Sequence, residues 1–395
     1  MTQKDLENLA CELSLINVFR GIRKLKPMSE LFRFLKSDSG LPERMDAFGE
    51  FVMSLSDHDM SLSGFLKKAV LEDENAYIAG RAHNRTLPEA LIKNAESELE
   101  LFSRLTRLDA KELCEAAGYG GKVPEFENEA TDFGSLISER MKDIGKYGYG
   151  IFSSSGMFRV SDGEIIPVEA ADDISPDDFI GYEAERKKVF DNTRALIEGK
   201  SAANILLYGD AGTGKSSTVK ACANFFYSEG VRLIELRKDQ LMSLSPVMGR
   251  IADNPLKFII FIDDLSFNRD DDNFSMLKAA LEGSASAKAK NAVIYATSNR
   301  RHIIKESFSD RDSSDDVHRT DTVQELMSLS DRFGLKVYFR RPDKALYLHI
   351  VKTLADKAGI EMDEGELTRR AEAFALDRGS RSPRAAEQFV GTLAR

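Results

Sequence analysis

The stretch Gly209-Asp210-Ala211-Gly212-Thr213-Gly214-Lys215-Ser216 constrains the fold of this chain more than any other. The apolar run Ile205-Leu206-Leu207-Tyr208 ahead of it reads as a buried strand, and Ser217-Thr218-Val219-Lys220-Ala221 behind it reads as a helix. In the spacing Gly-x-x-x-x-Gly-Lys-Ser, glycines open the backbone so that successive N–H groups can surround a phosphate at the N-terminus of the following helix. The expected nucleotide-binding set is Gly209, Asp210, Ala211, Gly212, Thr213, Gly214, Lys215, Ser216 and Ser217. Within it, Lys215 is placed to reach the β- and γ-phosphates and Ser216 to offer its hydroxyl to Mg²⁺.

The rest of the chain is organised around this loop. Residues 204–208, 232–236, 258–262, 292–296 and 335–339 are short, nearly continuous apolar runs, the pattern of parallel strands covered on both faces. Helical stretches separate them, which predicts a doubly wound α/β sheet. After Pro342 only helical patterns remain, at 344–357, 364–376 and 383–393, predicting a small C-terminal helical lid. Residues 1–173 read as mainly helical, turning Gly- and Ser-rich with short strands towards the end, and carry no chemical constellation. The expected domains are therefore 1–173, 174–341 and 342–395.

Two further strand ends carry polar chemistry. Phe258-Ile259-Ile260-Phe261-Ile262 runs into Asp263-Asp264, two carboxylates at the edge of a parallel sheet where ligands bind. Asp263 is the candidate Mg²⁺ ligand, and Asp264 the candidate that orients the attacking water. Ala292-Val293-Ile294-Tyr295-Ala296 runs into Thr297-Ser298-Asn299, and the Asn299 amide can both donate and accept hydrogen bonds, as a bridge between water and a γ-phosphate requires.

The order of these three elements resembles the AAA+ ATPases, in which they are called Walker A, Walker B and sensor 1. The wider strings at 208–217, 263–267, 296–302 and 328–335 resemble an uncharacterised bacterial family of predicted AAA+ ATPases. The resemblance spans roughly 179–395 and implies a P-loop parallel-sheet core with a helical lid, ATP and Mg²⁺ as ligands, and a nucleotide-dependent ring or partial ring of identical subunits. It also implies three roles. Arg332 sits where an arginine finger acts on ATP held by a neighbouring subunit, Arg384 resembles the lid arginine called sensor 2 with Arg381 as a rival, and Ile180-Gly181 belong to a segment that lies against adenine. Many members carry Glu where this chain has Asp264, which implies slow hydrolysis. The loop that grips polypeptide in threading members, and the helix inserted in replication initiators, have no counterpart at 237–257.

Composition narrows the remaining classes. The chain has 395 residues, 42% apolar and 30% charged, which fits a globular protein of two or three domains. It has no run near the ~20 apolar residues that a membrane span needs, so no membrane partner and a cytoplasmic location are expected. Its three cysteines follow no metal-binding or redox spacing. The net charge of −10 argues against a generally basic surface for nucleic acid, while Arg300-Arg301-His302 leave a local contact open, so the client is an unidentified protein or nucleic acid. Three functional readings stay open: an ATP hydrolase that drives a conformational change, an ATP-gated binding or loading module with negligible turnover, and, less favoured, a phosphotransferase.

Overall fold

The computed structural model describes residues 1–36, 40–168, 174–265, 277, 278, 281, 289–299 and 330–394. They form two compact units, Met1–Ser154 and Ser155–Arg395.

The first unit is helical: α1 (Gln3–Leu15), α2 (Lys26–Lys36), α3 (Leu41–Met53), α4 (Leu62–Glu72), α5 (Ala76–Ala82), α6 (Glu89–Leu105), α7 (Ala110–Ala116), α8 (Phe133–Lys142) and α9 (Ile144–Tyr147). Side chains of Thr2, Ser61, Asn75, Asp109 and Asp132 accept backbone N–H groups at the starts of α1, α4, α5, α7 and α8, satisfying donors that have no partner inside a helix. The apolar stripes meet in one core that includes Leu6, Phe19, Phe34, Phe51, Phe102 and Phe133. The buried Glu98 carboxylate accepts the backbone N–H groups of Asn17, Val18 and Phe19 at 2.8, 3.0 and 2.8 Å, fastening the chain after α1.

The second unit holds β1 (Met157–Ser161), β2 (Glu164–Pro167), α10 (Glu183–Ile197), β3 (Ile205–Gly209), α11 (Lys215–Phe225), β4 (Val231–Glu235), α12 (Leu244–Ile251), β5 (Lys257–Ile262), β6 (Ala292–Ser298) and β7 (Leu335–Phe339). The seven strands form one sheet in the order β2-β1-β4-β5-β6-β3-β7. All pairings are parallel except β1–β2. The five strands expected from sequence are present within a residue or two of their predicted ends. The sequence groups 155–167 with the helical region; here that segment is a hairpin whose β1 pairs with β4, so it belongs to the sheet and the compact unit begins at Ser155.

One core on the sheet joins Ile205, Leu207, Ile259, Phe261, Val293 and Val337 to Val189 of α10 and to Val219 and Cys222 of α11. Each such side chain contributes roughly 1.5–3 kcal/mol on burial. A polar peg crosses this core: the Tyr295 hydroxyl lies 2.7 Å from Thr193 Oγ1 and accepts from Asn192 Nδ2 at 3.0 Å, tying β6 to α10. The last three helices, α13 (Lys344–Lys357), α14 (Glu364–Asp377) and α15 (Pro383–Leu393), share a separate core of Tyr347, Ile350, Val351, Ala371, Ala386 and Phe389, with Ile180 at its margin. The turn 300–302 and the acidic stretch 309–316 lie outside the described residues.

Candidate functional site

Strand order brings the three motifs together. β6 lies between β5 and β3, with Ile262 opposite Ala296 and Tyr208 opposite Ser298. The segments that leave the carboxyl ends of β3, β5 and β6 are therefore neighbours, where parallel sheets bind ligands.

Loop geometry at the end of β3 is fixed by two glycines in particular. At Gly209 (φ +140°) a Cβ would fall 2.0 Å from the Phe339 carbonyl oxygen, so only glycine lets β3 and β7 close. At Gly212 (φ +74°) a Cβ would fall 3.1 Å from Ser382 Oγ and 3.2 Å from Arg384 Cβ, so the loop lies directly against the start of α15. Consistently, the Arg384 N–H donates to the Gly212 carbonyl at 3.3 Å. Thr213 Oγ1 closes the loop on the Asp210 carbonyl at 2.9 Å, and α11 starts at Lys215 with its N-terminus at the loop.

Lys215 is 6% exposed, and its ammonium donates to the carbonyls of Gly209 and Asp210 and to Asn299 Oδ1 at 3.0, 2.7 and 3.1 Å. These acceptors answer all three donors, which burial of a cation demands. Burial still pulls its pKa below the ordinary lysine range, opposed by the charges of Asp210, Asp263 and Asp264. Asn299 Nδ2 in turn donates to Asp264 Oδ1 at 2.9 Å, so one amide joins the lysine to the second carboxylate.

Asp263 accepts from Ser216 Oγ at 2.6 Å, from Thr297 Oγ1, and from the Asp264 N–H at 3.1 Å, all on Oδ1. Asp264 has φ +49°, a left-handed conformation that side chains other than Asn and Asp rarely adopt. Among the described residues there is no group of three or more His, Cys, Asp or Glu side chains suited to a metal. What is present is a hydroxyl and a carboxylate in hydrogen-bond contact, an oxygen donor pair that suits Mg²⁺ because that ion keeps waters and substrate phosphates for most of its coordination.

These groups surround a cavity of about 370 Å³. Of the expected residues, Ala211, Gly212, Thr213, Gly214, Lys215, Ser216, Ser217, Asp263, Asp264, Asn299, Ile180 and Arg384 line it. Gly209, Asp210 and Gly181 stand just behind the wall: the first two receive Lys215, and the Gly181 carbonyl receives Arg186. Arg381 is turned to Glu372 through two hydrogen bonds of 3.1 Å, while Arg384 is the lid arginine on the wall. Arg332, half-buried in the helical segment that leads into β7, is not on the wall.

Several lining residues were not among the expected site residues: Arg186, Ile350, Leu354 and Glu387, together with Thr297, which the sequence offered only as part of the polar end of β6. Two of them follow once a neighbour is placed. Glu387 is three residues beyond Arg384 on the same face of α15, and Thr297 precedes Asn299 by the two-residue period of an extended chain. Burial raises the Glu387 pKa, with Arg384 opposing. The far end of the cavity is held by Tyr182, whose hydroxyl donates to the Arg340 carbonyl at 2.7 Å and whose ring packs 5.4 Å from that of Phe339.

A mostly parallel sheet in this strand order, with the Gly-rich loop after β3 and a carboxylate pair after the β5 strand two places away, is the P-loop arrangement of sheet and loop expected from the sequence. Residues 154–395 match the family model described as "Protein of unknown function (DUF815)". The chain belongs to that family. Among solved structures it is similar to the Thermotoga maritima RuvB Holliday junction branch migration motor, at 14% identity and a TM-score of 0.34, covering 56% of this chain and 72% of that one. Two mutants of the same RuvB match with the same values. No curated protein matches the sequence. No helix among the described residues is long and apolar enough to cross a membrane.

Proposed function

We propose that this chain binds ATP together with Mg²⁺ and hydrolyses it, using the cycle to move the helical lid on a protein or nucleic-acid client. The observation that carries the reading is the convergence of the Lys215 loop, Asp263-Asp264, Asn299 and Arg384 on one cavity. Lys215 and the backbone of 211–216 neutralise the phosphates. Ser216 and Asp263 hold Mg²⁺, which when bound offsets phosphate charge. Asp264 orients the attacking water and Asn299 positions it, in roles of the kind phosphoryl transfer requires.

Ile180 and the Gly181 turn face the base, and Arg384 reports the γ-phosphate to the lid. Arg332, away from the wall of its own cavity, completes the site of a neighbouring copy in a homo-oligomer. Phosphate release measured against protein concentration tests this. Specific activity rises with concentration as copies assemble, and Arg332→Ala flattens the curve while ATP still binds. Full activity in dilute monomer removes Arg332 from the site, and unaltered ATP binding in Lys215→Ala removes the site itself.

A further inference from the structure

We infer that Thr297 is a positioning residue for both carboxylates, an assignment that rests on the proposed ATP hydrolysis. Thr297 is 2% exposed, on β6 between the P-loop strand and the carboxylate strand. Its hydroxyl makes two bonds of opposite sense. It donates to Asp263 Oδ1 and accepts the Asp264 N–H at 2.9 Å, while its carbonyl accepts the Leu265 N–H at 2.7 Å. One side chain therefore orients two consecutive acidic residues.

The consequences differ for the two. For Asp263, the donors Thr297, Ser216 and the Asp264 N–H all fall on Oδ1, and Oδ2 accepts nothing among the described residues. The carboxylate is thus fixed with one oxygen committed to the protein and the other left for a cation or its waters. For Asp264, the bond from its N–H helps hold the left-handed backbone at φ +49°, from which its Oδ1 reaches Asn299 Nδ2. A hydroxyl is the chemical requirement, because the oxygen must donate and accept at once. Serine meets it and valine, of the same shape, does not.

The test compares Thr297→Ser, Thr297→Val and Thr297→Ala in the full chain. Positioning errors of this kind cost on the order of 100-fold in turnover. Valine and alanine are expected to lower kcat by about 10- to 100-fold with KM for ATP changed by less than about 3-fold, and serine to restore kcat to within about 3-fold of wild type. A second readout does not depend on turnover: ATP affinity with Mg²⁺ against affinity in chelator. Valine is expected to lose most of the Mg²⁺-dependent gain and to keep the chelator value, and serine to keep both.

Equal kcat and equal Mg²⁺ gain in valine and wild type overturns the assignment. So does serine falling as far as valine, or a drop in chelator affinity and melting temperature that matches the loss of turnover, which marks a merely structural residue. If valine does not fold, the smaller alanine carries the comparison, and if neither folds while serine does, the structural role stands and the assignment falls. If wild type binds Mg²⁺-ATP without hydrolysing it, the hydrolysis reading fails alone, and the Mg²⁺ gain still decides Thr297.

Discussion

Arg381 and Arg384 sit on one short stretch, and their partners give them different duties. Arg381 is bonded to Glu372 on α14, whereas Arg384 stands on the cavity wall beside Gly212. Arg384→Ala is expected to cut ATP turnover about 10-fold or more with little effect on melting, as loss of one charge-stabilising contact does. Arg381→Ala is expected to leave turnover nearly intact and to cost about 1 kcal/mol of stability. The hydrogen bond from Arg381 holds the Glu372 carboxyl below the usual carboxylate range. A group with a depressed folded pKa stabilises above its unfolded value and loses that contribution as pH falls through the folded one, so the cost of Arg381→Ala shrinks on acidification. Thermal melts of both variants at neutral and acidic pH check this. The sequence favoured Arg384 and kept Arg381 as a rival because both lie in one polar stretch; the Glu372 partner nine residues upstream is what sets their surroundings apart. Lys215 and Ser216 could be picked out as candidates because phosphate chemistry fixes the spacing of their loop, and Asp263 because it ends an apolar strand of a parallel sheet. Thr297 was visible only as part of a polar strand end.

At the scale of elements, the β strands were readable because both faces of the central ones are buried and their apolar runs are nearly unbroken. The β1–β2 hairpin was recognised as strand-like and grouped with the helical region, whereas β1 pairs with β4 of the sheet. Its place depends on pairing Met157 with Leu233 and Phe158 with Ile234, a non-local choice that short alternating strands do not announce. The approach of β3 to β7 makes the sharpest element-level prediction. Gly209→Ala drives a methyl group into the Phe339 carbonyl at 2.0 Å, so it is expected to destabilise the unit by about 3 kcal/mol or more and to weaken ATP binding with it, measured by denaturant unfolding and nucleotide titration. A variant that melts like wild type contradicts that packing.

At the scale of the molecule, the chain carries a helical unit and a sheet-bearing unit that share no core among the described residues. Residues 155–395 expressed alone are therefore expected to fold cooperatively and to bind ATP within a few-fold of the full chain, checked by thermal melting and nucleotide titration; an unfolded fragment contradicts the division. The helical unit has a legible fold class and no legible chemistry, because helical periodicity reports burial and not a partner. The central claim, that the cavity cleaves ATP, is tested most directly by phosphate release from wild type and Asp264→Asn with ATP affinity measured on the same samples. The predicted result is Mg²⁺-dependent turnover in wild type and a loss of about 100-fold or more in the variant at an ATP affinity within a few-fold. Equal turnover in the two proteins, or a wild type that binds no ATP, contradicts it.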